Sequence, residues 1–292
     1  METLEKRHRW VTDEPTIPFP LRILYQDDAI VAVDKPHFLP TTPRGMWYRS
    51  TALMRLREMF HNDQITPAHR LDRATAGVVL FVSRPELRGA YQMLFQHHQV
   101  RKSYECIAPA RPVQRPRFGT VQPLDVPSAF PLKRMSRITK HRGILQAFES
   151  SGTANSTTII ELSDNQDAVL AANEHLLSTR GEVAAHQLYR VYSLRPLTGK
   201  THQLRVHMNS IGLPIEGDDL YPSIRMHANA DGTAAPDDFA HPLQLVARSL
   251  EFIDPISNEL RRFESEIPLE IRDETTFSAI PAPKSVRQAR RE

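Results

Sequence analysis

The chain has a single cysteine, Cys106, so it can form no internal disulfide and no thiolate metal cage. Its setting, Tyr104-Glu105-Cys106-Ile107, reads as a buried strand position rather than a nucleophile. No apolar run approaches the length that crosses a bilayer, and Met1-Glu2-Thr3-Leu4-Glu5-Lys6 lacks the apolar core of a secretory signal. No membrane partner is expected, and the expected location is cytoplasmic. Gly-x-Gly-x-x-Gly is absent, which removes the usual cradle for a nucleotide cofactor. Thr198-Gly199-Lys200-Thr201 ends like a phosphate-binding loop, but Leu194 occupies the place of its first glycine. Among 13 histidines there is no His-Glu-x-x-His, and His202 and His207 do not share a helix face, so no metal is expected. Strong charge bias is missing too: 37 Lys+Arg stand against 34 Asp+Glu, with a pI near 9.1. That balance permits nucleic-acid binding without requiring it, and clustering matters more than the sum.

At 292 residues the chain is long enough for a sizeable core. Residues 1–20 end in Pro15-Thr16-Ile17-Pro18-Phe19-Pro20 and read as an extended arm. Strand character begins at Ile23 and recurs in Ile30–Val33, Val78–Val82, Arg101–Ile107, Thr157–Leu162, Gln187–Leu194 and Gln244–Phe252. Helical spacing is clear over Thr51–Phe60, with Ser50 as its expected cap, and over Pro85–Phe95, with a shorter helix over Ala168–Leu177. Strands with helices between them, but no regular alternation, predict an α+β domain over 21–272 around a largely antiparallel sheet. Residues 273–292 read as a disordered basic tail.

Two stretches carry chemistry. In Ala68-His69-Arg70-Leu71-Asp72-Arg73-Ala74-Thr75-Ala76-Gly77 a carboxylate lies between two arginines just ahead of a buried strand. The residues alone allow either a surface ion pair or a carboxylate held ionised for a reaction. Residues 109–143 are Pro-rich and then basic, with Lys133, Arg134, Arg137, Lys140 and Arg142 uninterrupted by an acid. They read as a loop or insertion, either simply solvated or touching nucleic-acid phosphates.

His69-Arg70-Leu71-Asp72, with Thr75 and Gly77, resembles the active-site motif of the RluA-type RNA pseudouridine synthases. Four further motifs agree in order. Asp34-Lys35-Pro36 resembles the family's early Lys-Pro, and Lys102-Ser103-Tyr104 its Lys-x-Tyr strand. Leu197–His207 resembles its Thr-Gly-Arg-Thr-His-Gln-x-Arg-x-His segment, and Pro214-Ile215-Glu216-Gly217-Asp218 with Tyr221 the turn that follows. Ala76, Lys200 and Val246 depart from the usual Ser, Arg and His, which bears on substrate choice more than on activity.

The resemblance implies a mixed, bent sheet flanked by helices around an RNA-binding cleft, with no S4-type RNA-binding domain. It implies an isomerase that turns a uridine of ribosomal or transfer RNA into pseudouridine without a cofactor, expected to work as a monomer. On that reading Asp72 is the catalytic carboxylate, Arg205 its paired cation, Tyr104 the ring against the target uracil, and Leu204 a wall of the pocket. Attack on the sugar, attack on the ring and removal of a sugar proton are all compatible with an ionised Asp72. The target base has to leave its stack, and Arg70 fits the space it vacates. Lys35, Lys200 and His202 are expected to scaffold the pocket or touch RNA, and the Lys133–Arg142 run to add grip. Two rivals are a non-catalytic RNA-binding protein, which an intact Asp72, Tyr104 and Arg205 disfavours, and a hydrolase, which lacks the second carboxylate.

Overall fold

A computed structural model describes residues 14–45, 47–180, 187–225 and 237–271. Most of the N-terminal arm and all of the C-terminal tail lie outside them. The first half runs β1 (Arg22–Gln26), β2 (Ile30–Lys35), α1 (Ala52–Phe60), β3 (Thr66–Pro67), β4 (Ala76–Val82) and α2 (Arg88–Gln96). Next come β5 (Arg101–Pro109), β6 (Thr120–Pro123), β7 (Leu132–Thr139), β8 (Phe148–Ser150), β9 (Ser156–Leu162) and α3 (Asp167–Arg180). The chain closes with β10 (Tyr189–Pro196), α4 (Gln203–Ser210), β11 (Leu245–Ile253) and β12 (Leu260–Glu264).

The strands form one sheet in the order β1-β2-β4-β11-β5-β10-β9-β7-β6, with β3, β8 and β12 attached to β4, β7 and β11. Its pairings are antiparallel except for β4 against β11, where Val246 and Ala247 lie beside Ala76 and Gly77. The architecture is thus α+β with a mixed, largely antiparallel sheet, as expected. The parallel contact is a seam between two half-sheets, and Gly77 makes it possible. Gly77 has φ +112°, and a Cβ there would overlap the Ala247 backbone, so only glycine lets the strands approach this closely.

Both faces of the sheet are covered, which explains why β4 is buried at every position. Val79 and Phe81 meet Ala52, Leu53 and Leu56 of α1, while Val78, Leu80 and Val82 meet Tyr91 and Leu94 of α2. Beyond the seam, Cys106, Tyr192 and Leu194 pack under Leu204 and Met208 of α4, and Ile107 and Val191 under Val169 of α3. Tyr104 touches the clusters under both α1 and α4, so those helices share a face and Tyr104 lies at their junction. The cap of α1 is Thr51, whose hydroxyl accepts from the Met54 N–H at 3.3 Å, and not Ser50.

The larger difference is at 109–143, which is not a loop. Its basic half is β7, paired with β6, β8 and β9. Leu132, Arg134, Ser136 and Ile138 turn inward on the strand period, and the basic side chains are thereby sent to different places. Among the described residues no helix is long and apolar enough to cross a membrane.

Candidate active site

Asp72 stands in the loop that enters β4 at the seam, and that loop is tied down on either side of it. The Thr41 hydroxyl donates to the Leu71 carbonyl at 3.0 Å and accepts from the Leu71 N–H at 3.2 Å. Lys35 is fully buried at the end of β2, and its ammonium donates to the carbonyls of Pro36, Leu39 and Arg73 at 3.0, 2.8 and 3.3 Å. His37 Nδ1 lies 2.8 Å from the Ala74 carbonyl, and His69 Nε2 accepts from the Leu80 N–H at 3.2 Å while its ring stacks on Phe95. Held from so many points, the backbone fixes where the Asp72 side chain starts, yet no hydrogen bond engages the carboxylate among the described residues. It is 38% exposed, and His202 Nε2 lies 3.9 Å away.

The arginines on either side do not pair with it, which removes the surface ion pair. Arg73 turns to Asp237 and stacks over Trp47 and Phe38. Arg70 is exposed and has no hydrogen-bond or ion-pair partner among the described residues.

The other wall is α4 and the segment before it. Gln203 is buried and ties that segment together: its Oε1 accepts from Thr198 Oγ1 and the Lys200 N–H, and its amide donates to the Thr157 carbonyl and Thr158 Oγ1. His202 precedes the helix with φ 54°. The Tyr221 hydroxyl donates to the Ala147 carbonyl at 2.7 Å, so at 3.1 Å it receives the His202 Nδ1–H. That tautomer leaves Nε2 of a neutral His202 with its lone pair toward Asp72. Burial lowers the His202 pKa, with Asp72 pulling the other way, which favours this neutral form.

Arg205 is where the structure departs from the expected pairing. Its guanidinium grips buried Asp218 through Nε at 2.8 Å and Nη2 at 2.5 Å, and Nη2 reaches Asp219 at 3.0 Å. It makes no ion pair with Asp72 within 4 Å. Burial works against the Arg205 charge, but the bond to Asp218, its charge and then that of Asp72 raise the pKa above the ordinary value. Asp218, which also caps the Leu220 and Tyr221 N–H groups, is the residue sequence reasoning left without a role. Its signal was the acid that ends Pro214-Ile215-Glu216-Gly217-Asp218.

Asp72 acts electrostatically on four groups from three elements. Its charge favours the proton on Lys35, Tyr104, His202 and Arg205, and so links β2, β5 and the N-terminal end of α4 to one centre. Burial raises the Tyr104 pKa, with Asp72 adding to it, so the phenol stays protonated. Leu204 packs in the cluster that Tyr104 also touches. The arrangement is a half-open carboxylate beside an aromatic face, a neutral imidazole and a clamped guanidinium.

Comparison with known proteins agrees with the motifs. A family model described as RNA pseudouridylate synthase matches residues 29–210. The chain belongs to that family. The enzyme is an RNA pseudouridine synthase, an isomerase. It is 30% identical to a protein of Haemophilus ducreyi named tRNA pseudouridine synthase C, over 80% of this chain and 86% of that one. It is 28% identical to the dual-specificity RNA pseudouridine synthase RluA of Vibrio vulnificus, over 85% and 83%. Human RNA pseudouridylate synthase domain containing 1 shares the fold with TM-score 0.57 and 18% identity, covering 90% of this chain and 95% of that one.

Of the residues offered to RNA, Lys35 takes its scaffolding alternative and Arg134 is buried elsewhere in the synthase. Lys35 faces three carbonyls inside the protein, and burial lowers its pKa to about 7. Arg134 is 0% exposed: it donates to Glu149, to Ser210 Oγ and to the carbonyls of Phe118, Thr120 and Met135. Because Arg134 and Ser136 point at Ser210 and His207 of α4, Lys133 and Arg137 project to the opposite face. Lys140, past the strand, is exposed and close enough to His202 for its charge to lower that pKa. Lys200 is exposed before α4.

Proposed function

We propose that Asp72 is the catalytic carboxylate for converting a uridine of ribosomal or transfer RNA into pseudouridine, with the base flipped into the space between the Asp72 loop and α4. The single observation behind this reading is the contrast at the loop: its backbone is clamped at Leu71, Arg73 and Ala74, while the carboxylate has no hydrogen-bond partner among the described residues. A carboxylate buried for stability would be capped or paired, as Asp218 is.

In the reaction C1′–N1 breaks, C5–C1′ forms, C5 loses a proton and N1 gains one, so atoms balance and nothing is consumed. Asp72 serves the sugar or the ring as a nucleophile, or takes a sugar proton. Tyr104 lays its ring against the uracil, and Leu204 closes the apolar side. Arg205, its charge compensated by Asp218 and Asp219, fixes the α4 wall beside Asp72. Exposed Arg70 occupies the place the base leaves, where a planar guanidinium both stacks and binds phosphate. Transfer RNA as a substrate is supported by the name of the Haemophilus relative, and use of more than one RNA by that of the Vibrio relative.

Purified protein without added metal or nucleotide is expected to form pseudouridine in cellular RNA, and Asp72→Asn to reduce this to background while binding RNA within a few-fold of wild type. Wild-type turnover by Asp72→Asn would refute the role given to it. Tyr104→Leu is expected to lose roughly 1–3 kcal/mol of transition-state stabilisation if stacking is its main task, with Tyr104→Phe clearly milder.

A further inference from the structure

A cavity of about 530 Å³ opens between the C-terminal end of α2, the start of β5 and the end of β10, lined among others by Phe95, His98, Arg101, Lys102, Arg195 and Leu197. None of the Asp72-site residues lines it, but both of its walls lead there. Phe95 stacks on His69 at 4.4 Å between ring centres, three residues before Asp72, a span of at most about 11 Å of chain. Leu197 begins the segment that ends at His202, and Lys102 is two residues from Tyr104 on the same strand.

Its lining is basic with little to neutralise it. No carboxylate among the described residues lines the cavity; Glu251 meets Arg101 at 3.3 Å from outside. The side chains of His98, Lys102 and Arg195 have no hydrogen-bond or ion-pair partner among the described residues. Lys102 is half-buried, and burial alone lowers its pKa, as for an ammonium that nothing nearby compensates. A protein that folds two such cations around a hollow, with an apolar ring and Leu197 beside them, has a receptor for an anion attached to something flat and apolar.

We infer that this cavity binds a backbone phosphodiester of the substrate RNA in the nucleotides flanking the target uridine, with Lys102 and Arg195 on the phosphate. The inference rests on the proposed function only in taking RNA as the substrate. A free small anion would satisfy the same cations, and the two are separable.

The test measures binding of a short oligouridylate RNA to the full chain across a salt series. Lys102→Gln with Arg195→Gln is expected to flatten the log–log slope by about 1.4, since each single-strand phosphate contact contributes about 0.7. The exposed Arg195→Gln alone is expected to give about half of that, which keeps the test sound if the double variant folds poorly. Lys102→Arg with Arg195→Lys should hold the wild-type slope. An unchanged slope in the Gln variants, or an equal loss in the charge-preserving pair, overturns the subsite. So does inorganic phosphate raising Tm over chloride at fixed ionic strength while the RNA slope stays put. Pseudouridine formation with an unchanged slope removes the subsite alone; a flattened slope with no pseudouridine removes the proposed function and leaves the subsite.

Discussion

The Asp72 loop and strand β7 both bring arginines into close sequence company, and the fold uses them in opposite ways. In the loop, effort goes into the backbone: Thr41, Lys35 and His37 hold it, and the carboxylate is left 38% exposed without a hydrogen-bond partner among the described residues. In β7 the side chain itself is captured, with Arg134 at 0% exposure against Glu149. Burial pushes Arg134 down and Glu149 up, each toward its neutral form; their mutual attraction opposes it, helped at Glu149 by hydrogen bonds from Ser136 and Ser210. A charge kept for chemistry is held through its neighbours' backbone; a charge kept for architecture is held by its own atoms.

The contrast breaks most sharply at Asp72. Asp72→Asn removes a charge that no partner satisfies, so turnover should fall to background while unfolding free energy stays within about 0.5 kcal/mol of wild type. A large stability loss in chemical denaturation would show that the carboxylate is structural after all.

Arg134→Met should do the reverse. It strands Glu149 in the interior and is expected to cost about 3–5 kcal/mol of stability. Adding Glu149→Leu should return most of it, because a buried pair replaced whole by apolar groups is close to neutral. Failure of the second change to rescue would mean that the carbonyls of Phe118, Thr120 and Met135, and not Glu149, depend on the guanidinium.

Much of this was legible in the sequence, and the reasons differ by element. The all-apolar Val78–Val82 run predicts a buried strand; that both its faces are covered and that Gly77 allows the close approach at the seam only the fold shows. The Asp72 loop, Tyr104 and the α4 segment were placed by motif order, and they do converge. Strand β7 was missed because Leu132, Arg134, Ser136 and Ile138 alternate with residues just as polar, so burial left no hydrophobic period to read. Its acid, Glu149, arrives from β8, fifteen residues after Arg134 and beyond the end of the basic run. The Arg205 partner was misjudged for a related reason: sequence order shows an arginine and several aspartates, and only the turn at Gly217 decides which one it meets.

Beneath α4 a buried histidine gives a smaller effect. His207 bonds Ser136, Ser156 and Thr158, and burial lowers its pKa to about 3. The unfolded chain takes up this proton near pH 6.5 and the folded chain only near 3, so this stability is complete above about 6.5 and is lost as pH falls toward 3. Each pH unit in that window should cost about 1.4 kcal/mol for this group. His207→Gln should remove one proton's worth of the slope in a series of unfolding curves; an unaltered slope would assign the acid sensitivity to other groups, His69 first, whose pKa burial also lowers to about 3.

The smallest effect divides the basic run itself. Lys133 and Arg137 project from the face of β7 away from α4, whereas Lys140 is near enough to His202 to influence it. If RNA lies over the Asp72 face, Lys140 is placed to meet a phosphate there and the two strand residues are not. Lys140→Gln should then flatten the salt dependence of RNA binding by about 0.7. Lys133→Gln with Arg137→Gln should leave that slope unchanged, and stability within about 0.5 kcal/mol. A flattening of about 1.4 from the strand pair, with none from Lys140, would put RNA on the opposite face of the sheet. It would mean that β7 contributes grip as well as architecture, and the contrast between the two regions would then hold for Arg134 alone.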